Sequence, residues 1–139
     1  KERREILSEL VNETRTIIIY EAPHKLVRTL KDLYETLGNR RMTLCRELTK
    51  KHETAFRTTI ADLIAHYENE KPLGECVLVI EGKSRQELKE EAVASWEEIS
   101  IEEHMEIYEK QGISRKDAMK QVAKDRGVSK RDIYSYLMK

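Results

Sequence analysis

The sequence predicts an α/β fold: a three-layer α/β/α sheet followed by a small helical, helix-turn-helix-like tail. Three observations carry that prediction. Two continuous apolar runs, Thr16-Ile17-Ile18-Ile19-Tyr20 and Gly74-Glu75-Cys76-Val77-Leu78-Val79-Ile80-Glu81-Gly82, lack polar alternation, as strands buried on both faces do. Stretches with apolar residues at helical spacing lie before and between them, so helices and strands alternate. After Gly82 the strand signals stop and Ser-x-x-acid patterns mark helix starts instead.

Taken in order, Ile6, Leu7, Leu10 and Val11 fall at helical spacing and predict a first helix ending near Asn12. The chain starts at Lys1, without Met and inside this pattern, which suggests a fragment of a longer protein. Glu21-Ala22-Pro23-His24 ends the first strand. Pro23 suits the first turn of the next helix, whose stripe is Leu26, Val27, Leu30, Leu33, Tyr34 and Leu37 and whose stop is Gly38. A second strand over residues 41–45 leads into Cys45-Arg46-Glu47-Leu48-Thr49-Lys50-Lys51-His52-Glu53, and residues 53–58 alternate as a third strand. Thr59 caps a short helix with Ile60, Leu63, Ile64 and Tyr67 on its apolar face. Residues 69–74, with Pro72, form the turn before the last strand.

Residues 84–99 suggest a linker, and the wider stretch 84–111 holds three basic against nine acidic residues. Residues 112–139 reverse this, with eight basic against three acidic, inside a chain of 26 basic and 26 acidic residues. Ser100-x-x-Glu103, Ser114-x-x-Asp117 and Ser129-x-x-Asp132 start three short helices over residues 100–139, with Gly112 and Gly127 as stops. The last helix carries Lys130, Arg131, Tyr134 and Tyr136 in the order of a recognition helix. An ordinary three-helix bundle with charged faces explains the same spacing.

At 139 residues the chain has room for one domain plus an appendage, and 39% apolar residues are enough for a core. Zero net charge excludes a globally basic nucleic-acid binder. Cys45 and Cys76, both within apolar runs, read as buried reduced thiols. With no run of membrane-spanning length and no signal-peptide pattern, a cytoplasmic location is expected. There is no glycine-rich nucleotide loop, and the four histidines lack partners at metal-ligand spacing, so no metal is expected. The polar groups at strand ends are Glu21 and His24, then Arg46 to Glu53, then Glu81 with Lys83. Parallel strands would gather all of these at one sheet edge, the usual ligand position in an open α/β sheet.

Three motifs taken together add a resemblance: Thr16-Ile-Ile-Ile-Tyr20-Glu21-Ala22-Pro23-His24-Lys25, Arg46-Glu47-Leu48-Thr49-Lys50 with Glu53, and residues 74–82. In this order and spacing they resemble the C-terminal portion of the bacterial ribosomal RNA small subunit methyltransferase I family, of the tetrapyrrole methylase superfamily. The resemblance covers residues 1–83 as a C-terminal α/β domain, with residues 84–99 as linker and 100–139 resembling the family's basic helical end. Family members often have Ser-Pro-His-Arg where this chain has Ala22-Pro23-His24-Lys25.

The resemblance implies an enzyme that transfers a methyl group from S-adenosylmethionine to a cytidine ribose 2′-hydroxyl of small-subunit RNA. It also implies a cofactor cleft shared with an N-terminal domain, a likeness to homodimers, and a fragment inactive alone. By position, it assigns Tyr20, Glu21, Ala22, Glu47, Leu48, Cys76 and Val77 to the cofactor. His24, Lys25, Arg46, Thr49, Lys130 and Arg131 fall to RNA, in the 30S subunit or its RNA. Lys50 and Glu53 are candidates for helping the weakly nucleophilic hydroxyl lose its proton. Two other readings stay open: a non-catalytic RNA-binding module, and a methylase acting on a small tetrapyrrole-like substrate.

Overall fold

The structure, a computed structural model, describes residues 2–139, and the chain divides into two compact units, Lys1–Ser84 and Arg85–Lys139. The first is the expected α/β unit and the second the expected helical tail.

In the first unit, helix α1 (Glu2–Leu10) precedes strand β1 (Ile17–Glu21). A 3-10 turn at Pro23–Lys25 then leads into α2 (Leu26–Leu37). Strands β2 (Arg41–Arg46) and β3 (Thr54–Thr59), helix α3 (Ile60–His66) and strand β4 (Cys76–Ile80) follow. The caps are those the sequence implies: the Thr59 hydroxyl accepts from the Asp62 N–H at 3.2 Å, and Gly38 ends α2 at φ +80°.

The sheet order is β1-β4-β2-β3 and every neighbouring pair is antiparallel. Ile17 pairs with Ile80 and Ile80 with Met42; at the other end Glu21 pairs with Cys76 and Cys76 with Arg46. The strands are therefore not the parallel set that would gather all their C-terminal ends. β4 runs against β1 and β2, which makes those two parallel to each other, with β4 between them. Glu81 and Lys83, expected beside the other strand ends, leave the sheet at the opposite edge, where Arg41 pairs with Glu81 at 2.7 Å.

One sheet face carries the core. Leu7 of α1, Leu26, Leu30, Leu33 and Leu37 of α2, and Ile60 and Leu63 of α3 pack on Ile17, Met42, Leu44, Cys76, Leu78 and Ile80. The other face carries no helix of this unit among the described residues, so both faces of β1 are not buried as expected. Ile18 is 59% and Tyr20 80% exposed. A third helical layer is absent here because all three helices place their apolar stripes on the same side.

The second unit holds α4 (Arg85–Ser95), a 3-10 turn at Trp96–Glu98, α5 (Ile101–Glu109), α6 (Arg115–Arg126) and α7 (Lys130–Leu137). Helix α4 occupies most of the stretch read as a linker, so that expectation is corrected. Its residues are good helix formers without a buried apolar stripe, which hid it from periodicity. Ser100, Ser114 and Ser129 cap the three following helices, each hydroxyl accepting from the N–H three residues on at 3.1–3.2 Å. Ser129 and Asp132 complete a reciprocal capping box, and Gly127 ends α6 in the left-handed conformation at φ +68°.

Met105, Ala118, Val122, Ala123 and Ile133 form this unit's core, with His104 fully buried beside them. His104 Nδ1 accepts from Arg126 Nε at 2.9 Å, so Nε2 carries the proton and donates to Asp125 Oδ2, also at 2.9 Å. Tyr108 donates to the same carboxylate, Arg126 reaches the Ile99 carbonyl at 2.8 Å, and Trp96 stacks on the imidazole at 3.9 Å. His104→Ala leaves Arg126 and Asp125 without this partner and opens a cavity under Trp96. We expect it to destabilise the tail by about 3 kcal/mol, measured by urea titration with Trp96 fluorescence as the probe.

Candidate functional site

The antiparallel placement of β4 decides which residues meet. Its start, not its end, lies beside the ends of β1 and β2, and there the chain forms a cleft of about 820 Å³. Tyr20, Glu21, Ala22, Pro23 and His24 come from the end of β1 and the turn after it. Leu48 and Thr49 come from the loop after β2, and Glu75, Cys76 and Val77 from the start of β4.

Six of the seven residues assigned by resemblance to the cofactor line this one cleft; Glu47 is the exception. Glu47 braces the wall from behind. Its Oε1 accepts from the Glu75 N–H at 2.9 Å, its N–H donates to the Glu75 carbonyl at 3.1 Å, and Lys50 Nζ lies 3.3 Å from Oε2. The Glu75 N–H and then the Lys50 ammonium hold the Glu47 carboxyl below its ordinary pKa, and Glu47 in turn raises that of Lys50.

The loop is wound tightly. Glu47 and Thr49 sit in the left-handed region at φ +53° and +65°, and the Lys50 N–H donates to the Glu47 carbonyl at 3.0 Å. Glu53 Oε1 accepts from the Thr49 N–H at 3.2 Å and closes the turn. Non-glycine residues held in this conformation cluster at ligand sites, where surrounding contacts sustain the strain. Gly74, at φ +79°, lets the Glu47 carboxylate pass. A Cβ there would sit 2.2 Å from Oε1.

Across the cleft, Glu21 is locked as well. Its carboxylate accepts from the Thr29 hydroxyl at 2.6 Å and the Ala22 N–H at 2.9 Å. Burial pushes its pKa up, but these two hydrogen bonds and the charges of Arg3 and Lys25 outweigh that and leave it below the ordinary value. Burial raises the Cys76 thiol against the opposing charge of Arg46, so Cys76 is a neutral wall residue. Of the two acids in the lining, Glu21 is engaged by the protein, while the Glu75 carboxylate is exposed, 3.7 Å from Lys50 Nζ; beside them the lining offers Ala22, Leu48, Val77, the Cys76 thiol and the exposed Tyr20 ring. Apolar walls with backbone groups at strand ends suit a flat, neutral, ring-bearing ligand held by van der Waals contact and main-chain bonds.

His24 and Lys25 are exposed on the turn after β1, with His24 in the lining. The Nε of Arg46 is buried and has no hydrogen-bond partner among the described residues. Lys50 also lies 3.7 Å from Glu75, and with a raised pKa it remains a cation rather than a base. Lys130 and Arg131 stand in the first turn of α7, in the other unit. Sequence reasoning passed over Pro23 and Glu75 in the lining; Glu75 lies inside the quoted 74–82 motif, and its place was legible there. Among the described residues no group of three or more His, Cys, Asp or Glu side chains converges as a metal site would, and no helix is long and apolar enough to cross a membrane.

No family model matches the chain. Individual relatives do. It is 42% identical over 134 residues to ribosomal RNA small subunit methyltransferase I of Bacillus subtilis, covering 96% of this chain and 46% of that protein. The protein of the same name from Halalkalibacterium halodurans is 43% identical over 97% of this chain and 46% of its own length, and that from Synechocystis 37% over 95% and 46%. The chain thus spans about half the length of the curated relatives it matches, in their C-terminal portion.

Proposed function

The chain belongs to the ribosomal RNA small subunit methyltransferase I family, matching its C-terminal portion, and on that premise we propose that it supplies one wall of the methyl-donor cleft and contacts to RNA. The observation that carries this reading is the meeting of Tyr20, Glu21, Ala22, Leu48, Cys76 and Val77 in one cleft with mainly apolar walls. S-adenosylmethionine, bound there through its adenosine, would supply an electrophilic methyl group. Ala22, Leu48, Cys76 and Val77 would flank the base, and main-chain groups at the ends of β1 and β2 would orient it. Glu21 and Glu47 would hold the walls rather than touch the donor, because their oxygens are already engaged.

The acceptor is the 2′-hydroxyl of a cytidine ribose in 16S ribosomal RNA, carried as the 30S subunit or its RNA. Arg46, together with His24, Lys25 and Thr49, binds the RNA beside the cleft, and Lys130 and Arg131 bind it from the tail. Glu53 takes the proton of the attacking hydroxyl, and the ammonium of Lys50 stabilises the oxyanion. The working protein is a cytoplasmic homodimer, and this half-cleft alone is inactive.

The test is single-turnover methylation of small-subunit RNA. It uses a chimera in which the N-terminal portion of the Bacillus subtilis relative is joined ahead of Lys1. Glu53→Gln is expected to slow methyl transfer about a hundredfold, as loss of a general base does, and Lys50→Ala about tenfold. Unchanged rates in both variants would remove these roles. Turnover by the 139-residue chain alone would remove the half-cleft reading.

A further inference from the structure

The charge of the helical tail is sorted by helix. Residues 84–111, with α4 and α5, hold nine acidic and three basic residues, while residues 112–139, with α6 and α7, hold eight basic and three acidic. In an ordinary solvated surface the two signs interleave and pair, as Glu106 does with Lys110 and Glu109 with Arg115 at the end of α5. Beyond Arg115, the lysines along α6 do not.

Lys116, Lys120 and Lys124 are exposed and make no ion pair among the described residues. Their spacing of four residues sets them about 6 Å apart along the axis on one side of the helix. Of the buried residues on α6, Ala118 and Val122 lie two residues out of phase with the lysines, about half a turn away, and Ala123 lies a quarter-turn to one side, so the stripe is turned from the core that Ala118 and Val122 share with Met105 of α5. Of the two acids on α6, Asp125 turns inward to His104 and Tyr108, and Asp117 sits in the first turn without an ion pair to the stripe. Each turn of the helix thus presents one long, flexible cation with no apolar residue between them.

We propose that Lys116, Lys120 and Lys124 form a track for the sugar–phosphate backbone of structured RNA, with the acidic helix α5 held on the far side of α6. A row of like charges at regular spacing fits a polymer of regularly spaced anions. The absence of an apolar or aromatic residue within the row distinguishes it from a membrane-binding face, which needs one. The sorted charge also sets orientation: a polyanion attracts the α6 side and repels the α5 side before contact is made. These residues are distinct from Lys130 and Arg131 and precede them in the chain, as the first helix of a helix-turn-helix pair crosses the backbone ahead of the second. The inference rests on RNA being the partner proposed above, and it concerns binding alone.

The test measures binding of the 139-residue chain to a short hairpin RNA by fluorescence anisotropy across a salt series. The triple variant K116Q/K120Q/K124Q is expected to reduce the slope of log Kd against log salt by about 2 to 3 units, one for each lost phosphate contact. The control K31Q/K71Q/K89Q removes the same charge from exposed positions elsewhere and is expected to change the slope by less than one such contact. K116R/K120R/K124R, which keeps charge and helix propensity, is expected to retain the wild-type slope, and circular dichroism confirms that all three variants fold. Equal losses in the triple variant and the control would overturn the proposal, as would no RNA binding by the wild-type chain. Stripe-dependent binding to phosphatidylserine vesicles or polyglutamate as tight as to RNA would overturn it too. Stripe-dependent RNA binding together with a chimera that does not methylate would leave the track standing and remove the methylation reading.

Discussion

Gly82→Ala is expected to destabilise the sheet unit by at least about 2 kcal/mol, because the new methyl group meets backbone that has nowhere to go. A Cβ at this position would lie 2.2 Å from the Thr14 carbonyl oxygen and 2.5 Å from that of Arg15. The segment entering β1 is strapped down at this point. The Lys83 N–H donates to the Glu13 carbonyl at 2.6 Å, and the Arg40 guanidinium reaches the carbonyls of Val11 at 3.0 Å and Glu81 at 3.1 Å. Relieving the clash means lifting this segment and the end of β4 apart, which breaks those bonds. Gly38→Ala provides a contrast in cause: with nothing within 4 Å of its Cβ, it carries only the backbone penalty of φ +80°, ψ −173°, a region nearly confined to glycine, about 1 to 3 kcal/mol. Urea denaturation measures both variants, and an unchanged midpoint for Gly82→Ala would refute the close approach at Gly82.

Gly74→Val is expected to weaken methyl-donor binding by the chimera about tenfold while leaving most of the fold intact. Valine at φ +79° carries a backbone penalty, and its Cβ would occupy the position of the Glu47 carboxylate. Glu47 would then release the Glu75 N–H and Lys50, and the loop bearing Leu48 and Thr49 would lose its brace. If the braced loop becomes the minor conformation, the apparent Kd rises in inverse proportion to its population. Calorimetric titration measures the shift. An unchanged Kd would show that the Glu47 brace does not shape the binding wall.

The elements themselves were legible. β-branched runs, helical stripes and serine caps located all four strands and six of the seven described helices to within about three residues, the largest offset being α2, whose expected first turn at Pro23 is a separate 3-10 turn. The direction of β4 was not, since Cys76-Val77-Leu78-Val79-Ile80 is equally apolar read either way, and only its pairing with β1 and β2 decides which end meets the cleft. The one-sided covering of the sheet was hidden for a similar reason. Ile17 is buried and Ile18 exposed, so identical side chains give no alternation. Helix α4 escaped because it buries nothing. His104 could have been found: Ile101, His104, Met105 and Tyr108 fall at helical spacing and place the imidazole on the apolar face of α5. Its partners Asp125 and Arg126 lie 21 and 22 residues on, beyond any local ligand pattern.

The cleft was legible in a different way. Composition and spacing supplied polar groups at strand ends, and the family resemblance selected among them, but neither included the geometry that brings the start of β4 beside Tyr20 and Leu48. That geometry gives each residue a distinct place, with Ala22, Leu48, Cys76 and Val77 as surface and Glu21 and Glu47 as braces.

The most direct measurement is an amide chemical-shift map of the isotopically labelled chimera titrated with S-adenosylmethionine. Shifts concentrated at Tyr20, Ala22, Leu48, Thr49, Cys76 and Val77, with Arg41, Glu81 and Lys83 at the opposite sheet edge unmoved, are the expected result. Shifts at the Arg41–Glu81 edge instead, or none in residues 20–24, 47–49 and 75–77, would contradict the assignment of the methyl-donor wall to this cleft.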